Sequence, residues 1–513
     1  MATTAAKKPV ASTVNVGYVL PEVLDMVDEW RTVRDCVGGQ SAVKERGVTY
    51  LPMPNAADQS TENVLRYDAY KNRGIFVNMT GRTLNGMVGT AFNKAPIATL
   101  PPELDIMHEN VDGGATTMDQ QARQVLSDAL GVGRCGLLTD YPTADGFVSR
   151  AQVNNGEMRP VIQFYFAEDI INWRYETVNA IRKLSLVVLV ESYEVEIDEF
   201  KRTTEMQWRV LRLVNGIYTV EVYRKTEMGI VSQGVPMVPL QSGAKPFDYI
   251  PFEFVGSRNN DGGIDEVPLS ALADVNLGHY RNSCDFEEMV FILGQPTTVI
   301  AGLNKSWVEE VLKGEVKTGS STALMLPVGA SATYLQVNES QLALKAMEHK
   351  ELMAAAIGAK LVNPNSVQRT AKEATMDDAS EQSVLLSAVY NVNSAYRKSL
   401  ESAALFAGAE ITDDLGYEIN TDFEIMSLDA AALQARVKMW TDGAITFSEM
   451  RSILVRAGIA TLDDAQAKAE LEKEALANAA AMGLGPEADT NPDGTPKTNG
   501  ATPPSDNATP PIQ

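Results

Sequence analysis

The chain has 513 residues, of which 44% are hydrophobic and 22% charged, and a formal net charge of −23. That length accommodates two to four domains of ordinary globular composition. The acidic balance argues against a tight grip on nucleic acid, because such affinity comes from Lys and Arg displacing counterions at phosphates. Any contact with nucleic acid is expected to be weak. No window holds the roughly 20 consecutive apolar residues of a membrane span. Lys7 and Lys8 are not followed by the apolar stretch of a signal peptide. Three separated cysteines, Cys36, Cys135 and Cys284, fit a reducing cytoplasm and lack metal-ligand spacing.

In chain order, residues 1–20 are expected to be loosely attached, 20–36 to form a helix and 50–54 a turn-rich connection. Spaced apolar residues over 63–92 (Val64, Leu65, Ile75, Phe76, Met79, Leu84, Met87, Val88) predict helices. Residues 117–130 carry a capping box, Thr117 with Gln120, and an apolar face of Ala122, Val125, Leu126, Ala129 and Leu130. Gly131 and Gly133 end that helix, and a strand over 136–140 follows. From 161 to 255 the pattern turns to strands. The segments 184–194, 207–213 and 217–223 are β-branched and aromatic-rich, and Asn215-Gly216 makes a two-residue hairpin turn. The expectation is an antiparallel sheet packed on helices, hence an α+β fold.

Three long helices come next. Residues 268–293 span roughly 39 Å, 339–362 about 35 Å and 371–408 about 55 Å at 1.5 Å per residue. Between the first two lie strands over 297–301, 323–326 and 333–337 with a short helix over 305–313. Pro364 cannot continue a helix and pushes Asn363 out of the helical region, so the second and third helices must break there. A strand over 417–425 and helices over 429–440, 446–456 and 462–482 complete the ordered part. Residues 484–513 hold seven prolines among polar residues and cannot bury a core. Rods of this kind need neighbours, and copies of the same chain are the simplest supply.

Chemistry-bearing motifs are sparse. Gly131-Val-Gly133-Arg-Cys-Gly136 has dinucleotide-loop spacing, but the order helix, glycines, strand is the reverse of what places phosphate at a helix N-terminus. It reads as a C-cap and turn. His108, His279 and His349 share no motif, and His349 in Glu348-His349-Lys350-Glu351 lacks the second histidine of a zinc helix. No catalytic residue, metal site or cofactor is assigned. Ser380, Ser383, Ser387 and Ser394 make one side of the third helix polar, while Leu385, Ala388, Val389, Val392, Ala395 and Tyr396 make a narrow stripe for packing. One side can pack while the other lines water.

Tyr67-Asp-Ala-Tyr70-Lys-Asn-Arg73, Thr83-Leu84-Asn-Gly86-Met-Val-Gly89-Thr-Ala-Phe92-Asn-Lys-Ala-Pro96, Val111-Asp112-Gly-Gly and Gly133-Arg134-Cys-Gly136-Leu-Leu-Thr-Asp140-Tyr141-Pro142 resemble the portal proteins of tailed bacteriophages. Pro268-Leu-Ser270-Ala-Leu-Ala and Arg369-Thr370-Ala371-Lys-Glu373-Ala374, which open the first and third long helices, extend the resemblance over roughly residues 60–410. It implies a flexible N-terminus (1–20), a wing (21–265), a first stem helix (266–293), a clip (294–338) and a second stem helix (339–362). A tunnel loop (363–370), a tunnel helix (371–410), a wing return with helical crown (411–483) and a disordered tail (484–513) would follow.

The resemblance further implies a homo-oligomeric ring, usually a dodecamer, at one capsid vertex of the virion. The ring would be assembled in the bacterial cytoplasm and serve as conduit for DNA packaging and ejection. Its partners would be double-stranded DNA, the terminase large subunit, the major capsid protein and a head–tail adaptor or tail proteins, with no membrane. Asn365, Ser366, Gln368, Arg369 and Lys372 would face DNA, and Trp307, Val308, Val311 and Leu312 would make the clip's partner contact. Two other readings stay open: another head–tail component such as an adaptor or scaffold, and an acidic cytoplasmic α+β hydrolase.

Overall fold

The structure is a computed structural model. It describes residues 15–141, 159–227, 229–294, 297–302, 304–311, 326–335, 341–362, 383–421, 423, 437–456 and 464–481. The chain divides into two units, Met1–Thr421 and Asp422–Gln513.

The first unit opens with helices α1 (Pro21–Gly38), α2 (Gln40–Glu45), α3 (Thr61–Arg73) and α4 (Met79–Ala91). Pro21 at the first helical position needs no N–H partner there, and Gly39 at φ 85° ends α1 in a conformation that favours glycine. Asn78 caps α4 by accepting from the Gly81 N–H at 2.7 Å. A Cβ on Gly81 would lie 2.7 Å from the Asn78 amide and 2.9 Å from the Val37 carbonyl, so glycine is needed for this close approach. Strand β1 (Ile97–Thr99) and a 3-10 helix (Pro102–His108) lead to α5 (Met118–Val132). The Thr117–Gln120 capping box forms, and Gly133 ends α5 in the left-handed region. The predicted apolar face, from Ala122 to Leu130, is fully buried.

Strand β2 (Arg134–Asp140) is the centre of a three-stranded antiparallel sheet with β3 (Val161–Phe166) and β9 (Phe252–Gly256). Gly136 is required in β2, since a Cβ there would sit 2.4 Å from the Phe252 ring and 2.9 Å from Ile170. Strands β4 (Ile170–Val178), β5 (Ile181–Glu196), β6 (Arg202–Val214), β7 (Ile217–Thr226) and β8 (Gly229–Ser232) form a five-stranded antiparallel meander in sequence order. Asn215 and Gly216 both have positive φ, 52° and 77°, as the tight β6–β7 turn demands. Alternation sends Val187, Leu189 and Leu211 to one buried face. On the other face Val188 and Val210 pack with Ile171 and Val16. Residues 15–20, expected to be loose, are instead tied to the sheet: Val16 is buried and the Leu20 N–H donates to the Ile171 carbonyl at 3.0 Å. Residues 1–14 lie outside the described residues.

Helix α6 (Ser270–Gly294), strands β10 (Thr297–Ala301) and β11 (Ser331–Leu335), helix α7 (Leu342–Val362), helix α8 (Val384–Ala407) and strand β12 (Gly416–Glu418) complete the unit. β10 pairs with β11 and β12 with β1, both antiparallel. Two expectations are corrected and a third is refined. The helix predicted over 371–408 is not one uninterrupted rod, because Ser383 is extended and its hydroxyl caps a helix that begins at Val384. The strand predicted over 417–425 stops at Glu418, because the side chain of Asn393 takes both the N–H and the carbonyl of Ile419. The short helix predicted over 305–313 contains a π-helical turn, Trp307–Val311. The strand predicted over 323–326 lies almost wholly outside the described residues.

In the second unit, helices α9 (Phe447–Arg456) and α10 (Asp464–Ala481) correspond to predicted ones. Thr446 and Glu449 make a capping box, with the Thr446 N–H donating at 2.7 Å and the Glu449 N–H at 3.2 Å. The Trp440 ring lies 6.0 Å from Phe447, which also receives Lys468 on its face at 5.6 Å. Tract 484–513 lies outside the described residues.

Candidate functional site: the α6–α7 hairpin and helix α8

The first half of α6 is fixed to the N-terminal helices by polar contacts. Asn276 Oδ1 accepts from the N–H groups of Met79 and Thr80 at 3.0 and 3.1 Å, and its amide nitrogen donates to the Val77 carbonyl at 2.8 Å. One side chain thus serves N–H groups at the start of α4 that have no partner within the helix. Farther along, Ser283 accepts from the Ile75 N–H at 3.0 Å and Asp285 from the Tyr70 hydroxyl at 2.6 Å. Arg73 pairs with Glu288 and lies 3.8 Å from the Phe291 ring centre. Beyond that point Val290, Phe291 and Ile292 are exposed.

Helix α7 runs antiparallel to α6, with Lys350 donating to Asn282 at 2.5 Å and His279 Nε2 lying 3.2 Å from Glu351. Ala354 and Leu361 are its buried residues, whereas Leu342, Leu344, Leu352 and Met353 are exposed. Between the two helices Trp307 and Val308 are half-buried on the π turn. The Trp307 N–H is held by Asn304 Oδ1 at 2.8 Å, and its indole nitrogen is buried without a partner among the described residues. Val311 closes the π turn, and Leu312 lies outside the described residues. So do Asn365, Ser366, Gln368, Arg369 and Lys372.

Helix α8 buries its whole predicted stripe, Leu385, Ala388, Val389, Val392, Ala395 and Tyr396. Its serines have separate tasks. Ser383 is the cap, Ser387 donates to the Arg258 carbonyl at 3.2 Å, and Ser394 lines a groove with Tyr390, Arg397 and Asp414. Asn391 donates to the Gly256 carbonyl at 2.9 Å and accepts, through its own carbonyl, from Asn260 at 2.8 Å. The loop after β9 is gripped from its other side by Arg134, which donates to the carbonyls of Gly263 at 2.6 Å and Gly262 at 3.1 Å. That guanidinium is buried between the rings of Trp173 (4.1 Å) and Phe254 (4.4 Å), and burial pushes its pKa down to about 10. One loop thereby sets α6, α8 and β2 relative to each other. Sequence reasoning missed it; the density of Asn, Asp and Gly over 256–265 was the signal.

A second cluster joins α1, α5 and the β3–β4 corner. Arg34 makes paired hydrogen bonds to Asp128 (2.8 and 2.9 Å) and to Glu168 (2.6 and 2.8 Å). Burial alone would lower the Arg34 pKa, yet these bonds outweigh it and hold it above the usual value. Burial, with Glu168 beside it, pushes the neighbouring Asp169 up to about 6. The cluster ties α1 to α5 and to the β3–β4 corner. Burial also pushes the thiols of Cys36 and Cys284 up to about 12 and about 11, which disfavours the nucleophilic thiolate at neutral pH. Gly133 ends α5, as its place after a helix predicts, and Gly136 lies within β2 at a close strand contact. Among the described residues no group of three His, Cys, Asp or Glu could hold a metal, and no helix is long and apolar enough to cross a membrane.

Residues 268–407 match a family described as "Domain of unknown function (DUF4055)". The matched segment starts two residues before α6 and ends with the last residue of α8. No curated protein matches the chain. Among solved structures, the chain is similar to a chain in the virion of a native gene transfer agent particle, at 13% identity and a TM-score of 0.40, with 77% of this chain and 93% of that one covered. It is also similar to a chain in the neck of an empty particle of that kind computed with C6 symmetry, at 12% identity and a TM-score of 0.37, covering 77% and 93%. A third, in the neck of a native particle computed with C12 symmetry, has 12% identity and a TM-score of 0.34, covering 75% and 92%.

Proposed function

We propose that this chain is a portal-type subunit. Copies of it form a closed ring at one vertex of a phage capsid, and the ring serves as a conduit for double-stranded DNA and as a docking platform. The observation that carries this reading is α7, a 21-residue helix held to α6 by polar contacts that leaves Leu342, Leu344, Leu352 and Met353 exposed. Such a surface is satisfied when identical subunits pack side by side around an axis. The element order from α6 through β10, the π turn, β11 and α7 to α8 supports it, as does the sequence resemblance to tailed-phage portals.

In this reading α6 and α7 are the stem, the segment with Trp307 and Val308 is the clip that meets the terminase large subunit and later the adaptor or tail, and α8 stands beside the channel. The body before α6 meets neighbouring subunits and the major capsid protein. An acidic wall lets DNA slide in both directions because it forms few phosphate contacts. Arg369 and Lys372, with Asn365, Ser366 and Gln368, supply a local cationic collar that touches phosphates without reading bases. The reading assigns no catalysis and no cofactor to the chain, and ATP hydrolysis belongs to the terminase.

Sedimentation and negative-stain imaging of the purified protein test it. A ring is expected, and a 55.6 kDa monomer at every concentration and salt overturns it. Arg369→Glu with Lys372→Glu should leave the ring intact and impair packaging or retention of DNA. A full genome packaged and retained by that variant removes the collar.

A further inference from the structure

The hairpin β5–β6 runs on past the sheet to which it belongs. β4 pairs with β5 only as far as Leu189, and β7 pairs with β6 only from Gln207 onward. β5 and β6 themselves pair without interruption from Leu186 with Arg212 to Glu196 with Arg202. Residues beyond Glu191 are thus a two-stranded arm, about 17 Å long to Glu196 at roughly 3.3 Å per residue. Its end is an ordered turn: Asp198 Oδ1 accepts from the N–H groups of Phe200 and Lys201, both at 2.9 Å, and the Ile197 N–H donates to the Lys201 carbonyl at 2.8 Å. That turn presents Phe200, 91% exposed, beside Ile197, 56% exposed. An aromatic side chain held on a fixed turn without cover in its own subunit is suited to fill a pocket on a partner. The arm is acidic, with Glu194, Glu196, Asp198, Glu199 and Glu205 against Lys201 and Arg202.

A complementary surface lies at the other end of the same sheet. Leu186 and Val214, with Val188 and Val210 at its buried floor, line a groove of about 340 Å³ whose lining also includes Arg174 and Arg212 and no carboxylate. Arg212 is held by Glu221 at 2.6 Å and Arg174 lies 3.5 Å from Glu176, and each guanidinium keeps further N–H donors for an incoming acid. Three other grooves carry an excess of carboxylates: Asp285 and Glu288 with Arg66; Asp413, Asp414 and Glu418 with Arg397; and Glu29, Asp265, Glu266 and Asp274 with no cation. They would repel the arm.

We infer that Ile197 and Phe200, at the tip of the β5–β6 arm, dock into the Leu186–Val214 groove of an adjacent copy of this chain. A subunit cannot fill its own groove, because the ladder keeps the tip about 33 Å from Leu186. A knob and a hole at different places on one chain make a heterologous contact, which passes from copy to copy and is completed only in a ring. The inference rests on the ring reading and adds the residues that join one subunit to the next.

The test is the full-length protein carrying Phe200→Cys and Val214→Cys under mild oxidation. Both positions are exposed, and the native cysteines are buried. Disulfide-linked dimers and higher ladders are expected from the double variant and from neither single variant. Separately, Phe200→Asp should raise the concentration needed for assembly on the order of tenfold without changing the thermal melt of the subunit. If Phe200→Asp assembles at the wild-type concentration, or the double variant gives no intermolecular disulfide, the contact is overturned and the ring reading stands. Wild-type protein that stays monomeric overturns both.

Discussion

Helices α8 and α7 have 24 and 21 residues and both read in sequence as apolar-striped rods. Their fates differ. α8 lies against α5, β2 and β9 and buries residues from Leu385 to Phe406 along one side, with the Tyr396 hydroxyl donating to Gln121 at 3.0 Å. α7 meets α6 through Lys350 and Glu351 and leaves leucines exposed. A stripe states that a helix has a partner and is silent on whether the partner is in the same chain. In α8 the partner is the subunit's own core; in α7 we assign it to the next subunit.

The sharpest way to break that contrast is to remove groups that only the body buries. Arg34→Met leaves buried Asp128 and half-buried Glu168 without their cation and should cost about 3–5 kcal/mol in urea unfolding. A loss below about 1 kcal/mol would mean that the cluster is solvated. Leu400→Ala on α8 should cost about 2–5 kcal/mol. Leu352→Ala on α7, by contrast, should change subunit stability by no more than about 0.5 kcal/mol while weakening assembly measured by sedimentation. Equal destabilisation of the subunit by both changes would erase the distinction.

Asp169 sharpens the picture through pH. Its folded pKa, about 6, lies above the unfolded value. Its contribution is therefore full below pH 4 and is lost as pH rises through about 6. Asp169→Asn should stabilise the fold at pH 7 by on the order of 1 kcal/mol, after allowance for solvent screening, and flatten the dependence between pH 4 and 7. The smallest effect is expected on α7, where Glu351→Ala removes a half-exposed partner of His279 and should cost about 0–1 kcal/mol.

Much of the local structure was legible because its causes are local. Thr117 with Gln120 sets the start of α5, Gly133 sets its end, and Asn215-Gly216 closes β6 onto β7. Alternation identified β5, β6 and β7, and the apolar stripe identified the buried side of α8. Errors fell where a side chain replaced a backbone partner, at one place from 26 residues away and at the other within a single turn. Asn393 ends the strand after Glu418, and the hydroxyl of Ser383 starts a helix within what periodicity reads as one rod. Val16 gave little sign that it would be buried, because its partners Ile171, Val188 and Val210 lie more than 150 residues away.

By itself, then, the sequence determined the elements, their order and the α+β class, since caps, turns and periodicity act within a few residues. Only the tertiary structure decided which stripes find partners inside the subunit, that Arg134 and Asn391 clasp one loop from opposite sides, and that an acidic arm and a groove lined by two arginines stand at opposite ends of one sheet. These depend on which residues a fold brings together across long stretches of chain, and no local pattern encodes that.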